Sequence, residues 1–108
     1  MSEHIPESDW RQFRELHRKL LERHCSRILE EVAAVSRSGT GTAHERYLKV
    51  YKLIRERDKE IANAFNDFRR STAVMRLGIM RRLKLITEEE LMKFSEQTRA
   101  QVEMIASI

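Results

Sequence analysis

Two histidines and one aspartate have the residue types and the spacing from which a small polar site can be built. His17 and His24 lie seven residues apart on the apolar face predicted for the first helix, and Asp58 lies on the stripe predicted for the second. An antiparallel pairing of the two helices puts Asp58 opposite position 21, between the histidines. A histidine beside a carboxylate can move a proton or hold a metal ion. The sequence therefore predicts a buried polar cluster of these three residues.

Spacing argues against a metal ion in this cluster. Residues seven apart are separated by about 10.5 Å along a helix, too far to share one metal ion through bonds of about 2.1 Å. The chain has no Glu-x-x-His pair of the kind that binds iron in helical bundles. We therefore expect no metal and no cofactor, and we interpret the cluster as a buried polar pair that fixes the alignment of the helices.

Two further features fail as catalytic sites. Cys25 follows His24, but neighbouring helical residues point about 100° apart, so we expect a structural, half-buried thiol. The loop SGTGT, residues 38–42, lacks the Gly-Lys-Ser/Thr ending and the preceding strand of a phosphate-binding loop. We predict no catalytic residues, and an enzyme is the least expected class. The alternative that stays open is an active site shared between two subunits, because its residues need not be near one another in the sequence.

Most of the positive charge lies in the middle of the chain. Residues 39–72 hold eight basic and five acidic side chains, residues 73–86 hold four and none, and residues 87–108 hold two and five. On a continuous helix, five of the six basic residues from position 69 to 84 share about 140° of arc, largely opposite the apolar stripe. This arc predicts a partner surface that consists of Arg69, Arg70, Arg76, Leu77, Met80, Arg81 and Lys84.

Three interpretations of this surface are open. It can be a solvated face with ion pairs to its neighbours. Arginine mixed with leucine and methionine is also typical of a protein–protein interface. An organised positive face can instead neutralise phosphates and bind nucleic acid in a salt-dependent way. We predict a small helical protein-interaction protein, an adaptor or a regulatory subunit, and the alternative is a nucleic-acid-binding accessory protein that uses the same arginines.

The composition predicts one all-helical domain over residues 1–108. Three glycines and one proline are few, and 35% of the residues are charged, which favours long helices with solvated faces. No apolar run approaches the roughly 18 residues that span a bilayer, so we expect no membrane partner. The single cysteine and the acidic start MSEHIPESD favour a cytoplasmic protein.

Local signals predict three helices, over about 8–37, 43–85 and 88–106. Ser8 and Asp9 resemble the cap of the first helix. Thr42 with Glu45, and Thr87 with Glu90, have the spacing of capping boxes at the next two. Gly78 is the weak point of the long second helix, where a kink or a break is possible.

The strongest pattern is a stripe on the second helix. Positions 47, 51, 54, 58, 61, 65, 68, 72, 75 and 79 alternate in steps of four and three, and eight of the ten are apolar. Such a stripe needs a partner helix along it. Trp10 and Phe13 are expected to meet it at Phe65 and Phe68.

The flanking helices are too short to cover the long one, and this predicts self-association. Near residue 45 only two helices would meet, which exposes an apolar side of their seam. A second copy closes two such hairpins into a four-helix bundle with two-fold symmetry. The predicted fold is therefore an all-α, three-helix antiparallel coiled-coil-like bundle with a long central helix, completed by homodimerisation. The exposed residues would be Leu21, Ile28, Val32, Leu48 and Val50.

Overall fold

The computed structural model describes residues 5–108, and the regular elements in this range are all helical, so the all-α class is confirmed. The described part is elongated, with extents of 56 × 24 × 24 Å. None of its helices is both long and apolar enough to cross a bilayer. The elements are α1 (Glu7–Arg37), α2 (Ala43–Phe65), a 3-10 turn (Arg70–Thr72), α3 (Ala73–Arg82), α4 (Glu88–Leu91) and α5 (Glu96–Ala106).

Both predicted capping boxes are confirmed. At the start of α2, the Glu45 amide donates to Thr42 Oγ1 and the Thr42 amide donates to Glu45 Oε1, both at 3.1 Å. Thr87 and Glu90 make the same reciprocal pair at 2.9 and 3.1 Å at the start of α4. Each box satisfies two amides that have no partner within the helix.

The predicted continuous helix over 43–85 is wrong, because α2 ends at Phe65. The chain then turns with Asp67 at φ 57°, and α3 begins at Ala73. Thr72 Oγ1 holds this turn by donating to the carbonyls of Asp67 at 2.8 Å and Arg69 at 3.1 Å. Asparagine and aspartate at 66 and 67 favour such a turn, because their short side chains compete with helical hydrogen bonds and tolerate positive φ. The break therefore precedes Gly78, which stays helical.

The folded-back chain packs its aromatic residues where α1, α2 and the turn meet. The ring of Phe68 lies 5.0 Å from that of Trp10 and 5.4 Å from that of Phe13, which confirms the predicted meeting at Phe68. The ring of Phe65 instead packs against His17, 5.3 Å away. Phe13 is fully buried and Phe65 is 6% exposed. Buried residues of α3, α4 and α5 belong to the same hydrophobic core as those of α1 and α2.

The core covers only one end of the α1–α2 hairpin. The last buried residue of α1 is Ile28, and the buried residues of α2 are Ala64 and Phe65, near its end. Helices α3 to α5 pack at this end. We call the remainder of the hairpin, residues 29–58, the arm. It is a pair of antiparallel helices with solvent on its outer sides.

Asp9 links the two ends of the chain rather than capping α1. The N-cap of α1 is Pro6, and Asp9 is 3% exposed. Its carboxylate accepts hydrogen bonds from the Ser95 amide at 2.9 Å, and from the Ser95 and Thr98 hydroxyls at 2.6 Å each. Asp9 therefore fixes the start of α5 against α1.

Replacing Asp9 with alanine should lower the free energy of unfolding by about 2 kcal/mol, because buried donors on Ser95 and Thr98 would lose their acceptor. Chemical denaturation followed by circular dichroism measures the change. Ser8→Ala is the matched control, because Ser8 is an exposed residue in the same helical turn. We expect the stability of this variant to stay within about 0.5 kcal/mol of the wild type. An equally stable Asp9→Ala protein would contradict this role.

Candidate interaction surface

The structure divides the predicted partner surface into buried and exposed residues. Leu77 and Met80 are fully buried in the core, so their assignment to a surface is wrong. The cause is the new start of the helix after the turn. In α3, Ala73, Leu77 and Met80 follow one another at i, i+4 and i+7 and form the inner face. The predicted arc had assumed the phase of an unbroken helix.

The first two arginines of this surface bond to their own chain. Arg69 donates to Asp67 Oδ2 at 2.8 Å, and the hydrogen bond from Arg69 is the main reason that the pKa of Asp67 is lowered. Arg70 donates to Glu7 Oε2 at 2.8 Å and to the Ile5 carbonyl at 2.8 and 3.0 Å. Arg70 thus ties the 3-10 turn to the start of α1.

The next two arginines, which lie on α3, also bond to residues of their own chain. Arg76 donates to the Asn63 carbonyl at 2.6 Å, across the turn that separates α2 from α3. Arg81 bonds to Glu103 Oε1 at 2.8 Å and also to Glu88, so it connects α3 to the helices that follow. These side chains hold the fold together at its surface.

Lys84 ends the segment in a turn. Its φ is 59°, its side chain is exposed, and its carbonyl accepts a hydrogen bond from Arg27 at 2.9 Å. The four arginines already donate hydrogen bonds to oxygen atoms of their own chain. The geometry therefore favours the interpretation of a solvated face with ion pairs, and it gives the nucleic-acid hypothesis no support at this surface.

His17 lies within the aromatic cluster. Its ring stacks on Phe68 with centroids 3.8 Å apart and meets the edge of Phe65 at 5.3 Å. Burial lowers the pKa of His17, with the Phe65 backbone opposing the shift. The neutral ring is therefore favoured in the folded protein, and the stabilisation that depends on it is lost as the pH falls below the value of the unfolded histidine, about 6.5.

His24 has a carboxylate beside it, but the carboxylate is not that of Asp58. Asp58 is exposed on α2, so its predicted place in the buried cluster is wrong. Glu60 lies two residues further on, with Oε1 3.5 Å from His24 Nε2, and also pairs with Arg57 at 2.9 Å. Burial is the largest cause of the lowered pKa of His24, and Glu60 opposes it. The arrangement fits a structural role between α1 and α2.

The described residues contain no group of three or more His, Cys, Asp or Glu side chains placed to hold a metal ion. His17 is enclosed by aromatic rings, whereas His24 faces an acid that already has a cation. The two histidines therefore lie in different surroundings and do not share a ligand. In place of the predicted cluster, His17 contacts Phe68 and His24 contacts Glu60, at two separate points between α1 and the segment that follows it.

The first half of the stripe on α2 is exposed. Tyr47, Tyr51 and Ile54, which we call the apolar stripe, are 63%, 54% and 48% exposed. The same row continues into Ile61 and Phe65, which the rest of the chain partly or fully covers. The stripe was expected to have a partner helix along it. Over the arm this is wrong, because no described helix covers these three side chains.

A different row of α2 residues faces α1 in the arm. Val50, Leu53 and Arg57 are half-buried there, and Arg57 bonds to Glu31 of α1 at 3.0 and 3.1 Å. At about 100° per residue, this row lies roughly 100° around α2 from the apolar stripe. The arm therefore presents tyrosine and isoleucine side chains that have no partner helix in the described chain.

Two leucines of the arm are also exposed. Leu48 is 47% and Leu29 is 67% exposed. A tyrosine contributes roughly 200 Å² when fully buried, so the apolar stripe alone presents on the order of 300 Å². This lies within the range of roughly 300–600 Å² found for the largest patch on a typical monomer, which is often functional.

Comparisons with known proteins give no relative for the chain. No protein family, curated protein or solved structure matches it significantly. The function is therefore inferred from the side chains described above. The feature that calls for a partner is the apolar stripe of the arm.

Proposed function

We propose that the chain is a small helical protein-interaction protein, an adaptor or a regulatory subunit, and that it acts as a homodimer. The observation that carries the proposal is the apolar stripe, three large side chains about half or more exposed on one side of the arm. Tyrosine is enriched at protein interfaces because it combines a large apolar ring with a polar tip. A second helical hairpin is a partner that matches both the length and the shape of the arm.

A second copy supplies what the arm lacks. The arm is two helices thick, so two arms placed side by side make a four-helix bundle with a closed apolar interior. Helices α3 to α5 pack at the other end of the hairpin and leave the stripe accessible. Two copies would bury about 600 Å² of surface from the apolar stripes, and polar side chains at the rim would supply the rest of a stable interface of roughly 1,200–2,000 Å².

We place the interaction on the arm rather than on the surface from Arg69 to Lys84. Leu77 and Met80 are buried, and the arginines of that surface bond to carboxylates or carbonyls of their own chain. The apolar stripe, in contrast, has side chains that the chain itself leaves uncovered. An interface on the stripe would break none of the hydrogen bonds or ion pairs described above.

Replacing Tyr51 and Ile54 together by lysine should weaken the homodimer by one to two orders of magnitude in Kd, because the substitution puts charge at the centre of the proposed interface. Sedimentation velocity over a concentration series measures the effect. Both residues are exposed, so we expect circular dichroism of the variant to stay helical.

Met92→Lys with Met104→Lys is the matched control for this experiment. These methionines are 61% and 66% exposed and lie outside the arm, on or beside the short helices at the other end. The control should leave the dimer intact. Dissociation by the control, or an unchanged dimer in the Tyr51→Lys/Ile54→Lys variant, would contradict the proposal.

A further inference from the structure

A second row of side chains runs beside the apolar stripe on α2. Leu48, Lys52, Arg55 and Lys59 follow one another at i, i+4, i+7 and i+11, and all four are exposed. We call them the basic row. These residues come one position after residues 47, 51, 54 and 58, which form the row of the apolar stripe. The basic row therefore lies about 100° further around the helix. It is about 16 Å long and stays accessible at the edge of the arm when the stripe is covered.

The basic row borders two concavities in the surface. One, of about 410 Å³, is lined by Tyr51, Lys52, Arg55, Glu56 and Lys59. The Arg55 guanidinium lies over the Tyr51 ring, 5.8 Å from its centroid, and this cation–π contact restrains the side chain. Lys59 also lines the second concavity, of about 580 Å³, which extends toward α3. The three cations thus lie along one exposed face of α2, beside these two concavities.

The charge of this row is not compensated within the described chain. No carboxylate lies within 4.0 Å of Lys52, Arg55 or Lys59 in residues 5–108, although Arg57 on the same helix pairs with two glutamates. Arg69, Arg70 and Arg81, which follow α2, are paired in the same way as Arg57. The three cations of the basic row are instead left for solvent or for a partner.

We propose that the basic row binds an acidic amphipathic helix of a partner protein. Carboxylates that repeat in steps of four and three residues have the same axial spacing as the three cations, so two helices can lie side by side with matched charges. Leu48 gives the row one apolar contact, 47% exposed at its end. This inference rests on the proposed function and names the chemistry of the partner.

The basic row fits an acidic helix better than a nucleic acid. One face of the Tyr51 ring, which could stack on a base, already has the Arg55 guanidinium over it. Glu56 lines the first concavity and Glu60 the second, and each would repel a phosphate backbone that follows the basic row. A helix can present its carboxylates to the cations at chosen positions and avoid the two glutamates.

The test uses a designed peptide of about 18 residues with glutamate in steps of four and three and one leucine. Fluorescence anisotropy with the full chain, at about 50 and about 200 mM salt, measures its binding. We expect the peptide to bind and a glutamine version of it to bind at least tenfold more weakly. Lys52→Glu, Arg55→Glu and Lys59→Glu together should lower the affinity for the glutamate peptide at least tenfold.

Arg11→Glu, Arg18→Glu and Lys93→Glu together form the control, because these exposed residues lie outside the arm and change the net charge equally. Equal loss in the control, or absence of binding to the glutamate peptide, would overturn the proposal. So would tighter binding of a duplex DNA of about 20 base pairs that depends on the same three cations. The dimer mass of each variant is measured in parallel, so a failure of this inference is distinguishable from a failure of homodimerisation.

Discussion

Replacing Gly78 with alanine should lower the free energy of unfolding by about 3 kcal/mol, although the same change in an open helix would stabilise it by about 1 kcal/mol. A Cβ at this position would lie 2.5 Å from Ile105 Cβ and closer still to its Cγ2. The Cβ atom of Ile105 is fixed to the backbone of α5 and cannot move aside by a change of rotamer. Helices α3 and α5 would have to separate, which would disturb the packing of α3, whose Leu77 and Met80 are fully buried.

Thermal denaturation followed by circular dichroism measures this change, which corresponds to a fall in Tm of roughly 10–20 °C for a chain of this size. Ile105→Gly provides the control, because it removes both the Cβ and the Cγ2 atoms that clash. The double variant should therefore be more stable than the sum of the two single changes predicts. A Gly78→Ala protein as stable as the wild type would show that α3 and α5 do not pack as closely as described.

Replacing Glu90 with alanine should cost about 3–4 kcal/mol at neutral pH, since one side chain makes two kinds of contact. Its two oxygens accept hydrogen bonds from Arg23 at 2.8 and 3.0 Å, and Oε1 also accepts from the Thr87 amide at 2.9 Å. Arg23 also bonds to the Leu85 carbonyl. The variant would leave a half-buried guanidinium without its anion and would remove the capping box of α4.

The contribution of Glu90 should depend on pH. The hydrogen bond from Arg23 is the main reason that its pKa falls from 4.5 to about 2 in the folded protein. Because the folded value is lower than the unfolded one, the stabilisation is complete above about pH 4.5 and is lost as the pH falls toward 2. Its full size is on the order of 3 kcal/mol.

Urea denaturation at several pH values between 7 and 2 tests this dependence. The difference in stability between the wild type and Glu90→Ala should shrink as the pH falls below 4.5. Glu89→Ala is the matched control, an exposed glutamate in the same helical turn. Its effect should be small at every pH, and a Glu90→Ala effect that is independent of pH would contradict the proposed ion pair.

The features that could be predicted from the sequence are local ones. The capping boxes at Thr42 and Thr87 depend on residues three apart, so the sequence shows both partners side by side. The position of α1 relative to the turn aromatics followed from counting residues across one loop. The interruption after Phe65 was missed because the four-and-three spacing of the stripe continues through it, although Asn66 and Asp67 were the local signal of a turn.

The sequence predicted the exposed residues less well, because the direction in which a side chain points depends on the rotational phase of its helix. One new start at Ala73 turned Leu77 and Met80 inward. In the arm, the strongest apolar row proved to be rotated away from α1, which no pattern within α2 reveals. Asp9 with Ser95 and Arg23 with Glu90 join residues 86 and 67 positions apart, and a single sequence gives no sign of such pairs.

The mass of the intact chain in solution tests the central claim of homodimerisation most directly. Size-exclusion chromatography with light scattering, over a range of micromolar concentrations, separates the two outcomes. We predict a mass of twice the 12.9 kDa of one chain, because the apolar stripe of each arm is then covered by a second copy. A mass of 12.9 kDa at every concentration would contradict it.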